Sequence, residues 1–140
     1  LRRIKDVLFD WNELLNFDGK TGPYLQYTHA RAASILRKAG SLSSTPPYER
    51  LVEPEESAVV KLIGQFPDRI RAAADEYEPS MLSQHLLDLA ESFNTYYNHH
   101  RILLDDDAPL REARLALTAS VKQVMKNGLG LLGVVALEEM

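Results

Sequence analysis

The chain has 140 residues, about one ordinary domain, with 45% hydrophobic and 26% charged residues, which excludes a disordered tail and a membrane-embedded bundle. It holds no cysteine, which excludes a disulfide framework and a thiolate metal site, and no apolar run nears the roughly 20 residues of a membrane helix. Its net charge of -4 speaks against a polyanionic partner unless the cations are segregated.

Residues 1 to 9 carry Arg2, Arg3 and Lys5 behind Leu1 rather than an initiating Met, so the chain is expected to be a piece of a longer protein. Asp10 and Glu13 have capping-box spacing and predict a short helix from Trp11 to about Asn16 that buries Trp11, Leu14 and Leu15. A glycine-containing loop over 17–22 feeds the next helix and sets Lys20 beside Tyr24.

The stretch Thr21 to Gly40 has both ends marked. Pro23 suits the first turn of a helix and Gly40 suits a left-handed cap. At 100° per residue Leu25, Thr28, Ala32, Ile35, Leu36 and Ala39 form an apolar stripe. Tyr24, Tyr27, Arg31 and Lys38 line up beside it. Rings and cations on one helix flank suit an unpaired nucleic acid, because bases stack on rings while cations meet phosphate. From spacing alone, a half-buried rim of the core is the favoured account of the two tyrosines. His29 points nearer the apolar side and is expected to be structural.

Residues 41–53 read as a surface connection. Glu53-Pro54 starts a helix with Ala58, Val59, Leu62 and Ile63 inward, which Gly64 and Pro67 are expected to end; Asp68 to Tyr77 is a further helix burying Ile70, Ala73 and Ala74. Pro79 restarts the chain, and Met81 to about Leu103 is the longest periodic run, with Leu82, His85, Leu86, Leu89, Phe93, Tyr96 and His100 on one face. Tyr97 and Arg101 sit four apart on the adjoining flank. Asp105 to Asp107 supplies negative charge to a helix start at Pro109. From Leu110 to Met125, Ala113, Leu117, Val121 and Val124 face inward, and Asn127-Gly128 is expected to break the helix. No strand pattern appears, so the fold class expected is all-α: about five or six helices around one core.

Three segments carry cations and no acid: 19–48 with Lys20, Arg31, Arg37 and Lys38, 92–104 with Arg101, and 113–137 with Arg114, Lys122 and Lys126. Their convergence would make a cationic face on an acidic protein. No glycine-rich phosphate loop is present, His99 and His100 diverge on a helix, and no Glu-x-x-His pair offers a bundle-core metal site, so neither a catalytic nor a metal site is expected.

Gly22-Pro23-Tyr24-Leu25-Gln26-Tyr27-Thr28-His29-Ala30-Arg31 resembles the opening of the C-terminal anticodon-binding domain of arginyl-tRNA synthetases, an all-helical domain of DALR type. Phe9-Asp10-Trp11, Phe17 to Thr21, Gly64 to Asp68, Glu78-Pro79, Leu110 to Leu117 and Asn127 to Met140 resemble the rest in order. The string Asp-Ala-Leu-Arg is absent; Leu110 to Leu115 is the nearest segment.

The resemblance implies one anticodon-binding domain over 1–140, with 1–21 a lead-in from a missing catalytic domain and 22–140 the bundle. It implies binding of the anticodon loop of arginine tRNA. Tyr24, Tyr27 and Tyr97 would stack on bases; Lys20, Arg31, Lys38, Arg101 and Lys126 would meet phosphates; Met140 would close the chain near the anticodon. Either Tyr96 or Tyr97 fits the family's second aromatic position, and helical phase favours Tyr97. The activation motifs of the His-Ile-Gly-His and Lys-Met-Ser-Lys type are absent, so ATP and Mg would belong to the catalytic domain of the same polypeptide and this piece alone would hold no cofactor. A cytoplasmic monomer without membrane contact is expected, with an organellar matrix as the alternative compartment. The rival reading is a protein-interaction or regulatory bundle that binds no RNA.

Overall fold

The structure, a computed structural model, describes residues 10–14, 19, 21–103 and 106–140, with nothing to be said of the side chains of residues 13 and 14. Four long helices make the bundle: α2 (Gly22–Ala39), α3 (Pro54–Asp75), α4 (Ser80–His99) and α5 (Ala108–Leu131). A single turn, α1 (Trp11–Leu14), precedes them, and a 3-10 turn, η1 (Tyr48–Arg50), lies between α2 and α3. Strands are absent among the described residues, as an all-α reading requires. α3 lies chiefly against α4, and α2 chiefly against α5.

Local chemistry sets most helix ends. Thr21 caps α2 by accepting from the Tyr24 N–H, and Pro23 occupies the first turn, where its missing donor costs nothing. Gly40 closes the helix at φ 78°, its N–H returning to the Leu36 carbonyl. At α3, Glu53 and Glu56 form a reciprocal capping box. Asp107 accepts from the Leu110 N–H at the start of α5.

Two expected breaks do not occur. Helix α3 runs unbroken through Gly64 and Pro67, so the two predicted helices are one. Val59, Leu62, Ile63, Phe66, Ile70 and Ala73 keep a continuous three-and-four spacing toward the core, while Ala58 and Ala74, expected inside, are exposed. Burial of that stripe outweighs the lost backbone bond at Pro67. Helix α5 likewise passes through Asn127-Gly128. A Cβ on Gly128 would lie 2.5 Å from Leu86 Cδ2, so this glycine serves close packing against α4 rather than a turn.

The core gathers Leu25, Ala32 and Ile35 from α2, Val59 and Phe66 from α3, Leu86, Leu89, Phe93 and Tyr96 from α4, and Leu117, Val121, Met125 and Leu129 from α5. Trp11, expected to be buried, is 67% exposed. The side chain of Leu14, and Leu15 altogether, fall outside the described residues.

At one end of the core sits a charged pair. Glu56 is 0% and Arg114 5% exposed, and the Arg114 Nε donates to Glu56 Oε1 at 2.8 Å. Arg114 also donates to His100 Nδ1, which leaves His100 Nε2–H to donate to Glu55. The Glu55 carboxyl is thereby held below its ordinary range, first by its backbone N–H at the helix start and then by the His100 ring. Burial pushes the neighbouring Tyr96 phenol well above its usual range. Arg114 thus leaves the expected cationic face for the interior.

Candidate nucleic-acid interface

Helical phase puts Tyr24, Tyr27, Thr28 and Arg31 within three turns of one flank of α2, and α4 presents Asn94 and Tyr97 to that flank. The Arg31 guanidinium carbon lies 4.8 Å from the Tyr27 ring centroid and 5.0 Å from the Tyr97 centroid. Each contact is within cation–π range. Both rings remain 39% exposed, so Arg31 supports them from within and leaves ring surface for solvent. Tyr96, the alternative to Tyr97, is 0% exposed and belongs to the core.

Asn94 ties the two helices together. Its Oδ1 accepts from Arg31 Nη1 at 2.7 Å, and its Nδ2 donates to Tyr24 Oη at 2.9 Å and to Thr28 Oγ1 at 3.2 Å. Arg31 Nη2 donates to Tyr27 Oη at 3.2 Å. Asn94, Tyr27 and Tyr97 are neutral, so they hold the guanidinium at this surface without cancelling its charge. Sequence reasoning missed Asn94. It lies three residues before Tyr97 on the same helix side, but its role depends on a partner helix some sixty positions away.

The other predicted residues spread around this centre. Lys38 is exposed near the end of α2, and Lys126 is exposed on α5. Arg101 does not share Tyr97's flank as expected, because α4 ends at His99 and His100 turns extended at φ −124° and ψ 139°. Lys20 lies outside the described residues. After Gly133 the chain turns back and docks along α2. Gln26 Nε2 donates to the Val135 carbonyl, His29 Nδ1 to the Leu137 carbonyl at 2.7 Å, and Arg37 Nη1 to the Glu138 carbonyl. The terminus is therefore anchored up to its last residues, with Met140 54% exposed beyond them.

This anchoring also changes the charge pattern. Arg37 pairs with Glu139, and Lys122 pairs with Glu138 at 2.7 Å, which holds the Glu138 carboxyl below its ordinary range. The acid-free segments do approach one another, but the tail brings two acids to them. What survives is a local site, rings around one arginine, rather than a broad cationic face. The described residues contain no group of three or more His, Asp or Glu side chains able to hold a metal ion, and no described helix is long and apolar enough to cross a membrane.

Residues 25–140 match the DALR anticodon binding domain. The chain belongs to that family. Arginine–tRNA ligase of Clostridium botulinum (strain Alaska E43 / Type E3) is 47% identical over 138 residues, covering 99% of this chain and 24% of its own length. The solved arginyl-tRNA synthetase of Thermus thermophilus superposes with a TM-score of 0.88 at 41% identity, over 97% of this chain and 24% of that one. That of Plasmodium falciparum gives a TM-score of 0.82 at 25% identity, over 100% of this chain and 25% of its own. The DALR domain described here thus spans about a quarter of the length of the relatives it matches.

Proposed function

We propose that this DALR domain reads the anticodon arm of arginine tRNA within a larger arginine–tRNA ligase. The carrying observation is the arrangement of Tyr27 and Tyr97 around Arg31, with Tyr24 joined to the same network through Asn94. Unpaired bases stack on exposed rings without demanding one sequence, and a fixed cation beside them meets the backbone. Lys38, Arg101 and Lys126 extend the phosphate contacts outward, Lys20 joins them from the lead-in, and Met140 lies at the end of the anchored tail. ATP with Mg, which arginyl transfer requires, is assigned to a catalytic domain in the same polypeptide rather than to this chain. The polypeptide is proposed to work as a monomer in the cytoplasm.

The test uses the intact polypeptide and arginine tRNA with parental or altered anticodons. Tyr27→Ala should weaken binding by roughly 1 to 3 kcal/mol, the worth of one stacked base, while Tyr27→Phe keeps the ring and should cost less. Arg31→Gln should weaken binding to all loops alike and flatten the dependence on log salt by about one. If Tyr27→Ala leaves the preference for the parental anticodon intact, the stacking role is wrong.

A further inference from the structure

The hydrogen bonds around Asn94 fix which group donates and which accepts throughout the cluster. Arg31 carries only donors, so the Asn94 atom that faces it is the carbonyl oxygen, and the amide nitrogen faces Tyr24 and Thr28. Thr28 donates its own proton to the Tyr24 carbonyl at 3.0 Å, so its hydroxyl oxygen can only accept from Asn94. Tyr24 Oη likewise accepts from Asn94, and Tyr27 Oη accepts from Arg31. Each phenol therefore keeps its own proton to donate, and the hydrogen bonds among the described residues leave that proton without an acceptor.

We infer that Asn94 is a positioning residue that sets the polarity of this surface, turning the Tyr24 hydroxyl into an outward donor for an acceptor atom on an unpaired nucleotide. The inference rests on the anticodon-binding reading and adds a specificity element to it. Stacking alone tolerates any base; a phenol whose proton has one direction does not tolerate a donor in its path. The acceptor is a base carbonyl or ring nitrogen, or a phosphate oxygen of the same nucleotide.

The decisive substitution is Asn94→Asp, nearly isosteric but unable to donate. A carboxylate there accepts the Tyr24 proton and reverses the bond, leaving only lone pairs facing outward. Binding of transcribed arginine tRNA to the intact polypeptide is measured for the parent, Tyr24→Phe, Asn94→Asp and the double variant. In the parent, Tyr24→Phe should weaken binding roughly two- to tenfold, the loss of one neutral hydrogen bond. In the Asn94→Asp background the same change should cost nothing, because the proton has already been withdrawn. Any weakening of Arg31 by the new carboxylate is common to both arms and cancels. Asn94→Leu is the counter-test: it removes support without reversing polarity, so Tyr24→Phe should keep its cost there.

A second readout leaves Asn94 untouched. Along the loop, one abasic substitution should abolish the Tyr24→Phe penalty if the acceptor is on a base, and one methylphosphonate linkage should abolish it if the acceptor is a phosphate oxygen. An equal Tyr24→Phe cost in the parental and Asn94→Asp backgrounds, or no position that removes the penalty, overturns the polarity assignment alone. A parent that does not bind the tRNA overturns the anticodon reading, and the assignment with it.

Discussion

Arg114→Met tests the interior of the fold against its surface. The side chain is 5% exposed and donates through Nε to Glu56, itself 0% exposed and otherwise satisfied by the Glu53 N–H. Methionine fills a similar volume but leaves a carboxylate buried without its counter-ion. Breaking a buried pair from one side costs about 3 to 5 kcal/mol, against a total of about 5 to 15 kcal/mol for a domain. The melting temperature should fall by about 10 to 17 °C for a domain of this size. Urea unfolding at two salt concentrations is the assay, since a solvent-exposed pair weakens with salt and this one should not. Arg114→Met with Glu56→Leu should recover most of the loss, because the apolar pair has no unpaired charge to bury. Folded Arg114→Met should still bind tRNA like the parent, unlike Arg31→Gln. A loss under about 1 kcal/mol that salt also erases would refute the buried-pair account.

Two glycines of α5 separate packing from propensity. Gly130→Ala meets nothing within 4 Å and should stabilise by about 0.5 to 1 kcal/mol, while Gly128→Ala, pressed on Leu86, should destabilise despite the same propensity gain; thermal melts of the two variants decide it, and equal shifts would refute the close contact. His85 gives a pH signature. Burial lowers its pKa below the ordinary value, with its Nε2–H donated to the Leu62 carbonyl and its ring stacked on Phe66. The folded state therefore binds fewer protons than the unfolded one, so its contribution is complete above about pH 6.5 and is lost as pH falls through the lower folded value. Stability measured from about pH 7.5 to 5 should decline in the parent and decline less in His85→Gln.

What is legible in the sequence is local: Pro23 in the first turn of α2, the caps at Gly40 and Asp107, the apolar stripes of α2 and α4, and the flank that carries Tyr24, Tyr27 and Arg31. The errors lie where tertiary packing overrides local rules. Pro67 and Gly64 signal a helix end, yet the stripe from Val59 to Ala73 holds α3 together because the core favours an unbroken face. Gly128 signals a turn, yet Leu86 supplies a reason for glycine that no reading of α5 alone contains. Arg114 counted as a surface cation until Glu56, far away in sequence, claimed it. Asn94 had no signal, since an asparagine on a helix is ordinary until Arg31 and Tyr24 stand opposite. The family resemblance pointed to Tyr24, Tyr27 and Tyr97 but not to the amide that ties their two helices together.

The docked tail makes a different kind of demand. Gln26, His29 and Arg37 grip the main-chain oxygens of Val135, Leu137 and Glu138, not the side chains. These three grips are therefore indifferent to which side chains the tail carries, although Glu138 and Glu139 are also held by Lys122 and Arg37 and Val134 and Ala136 pack on the core, whereas the spacing from Gly133 to Glu138 is fixed by them. A single insertion before Val135 would offer each gripping side chain the wrong carbonyl, while extra residues appended beyond Met140 would leave all three grips in register. Among descendants of this sequence, Val135 and Leu137 should change more readily than the spacing that presents their carbonyls.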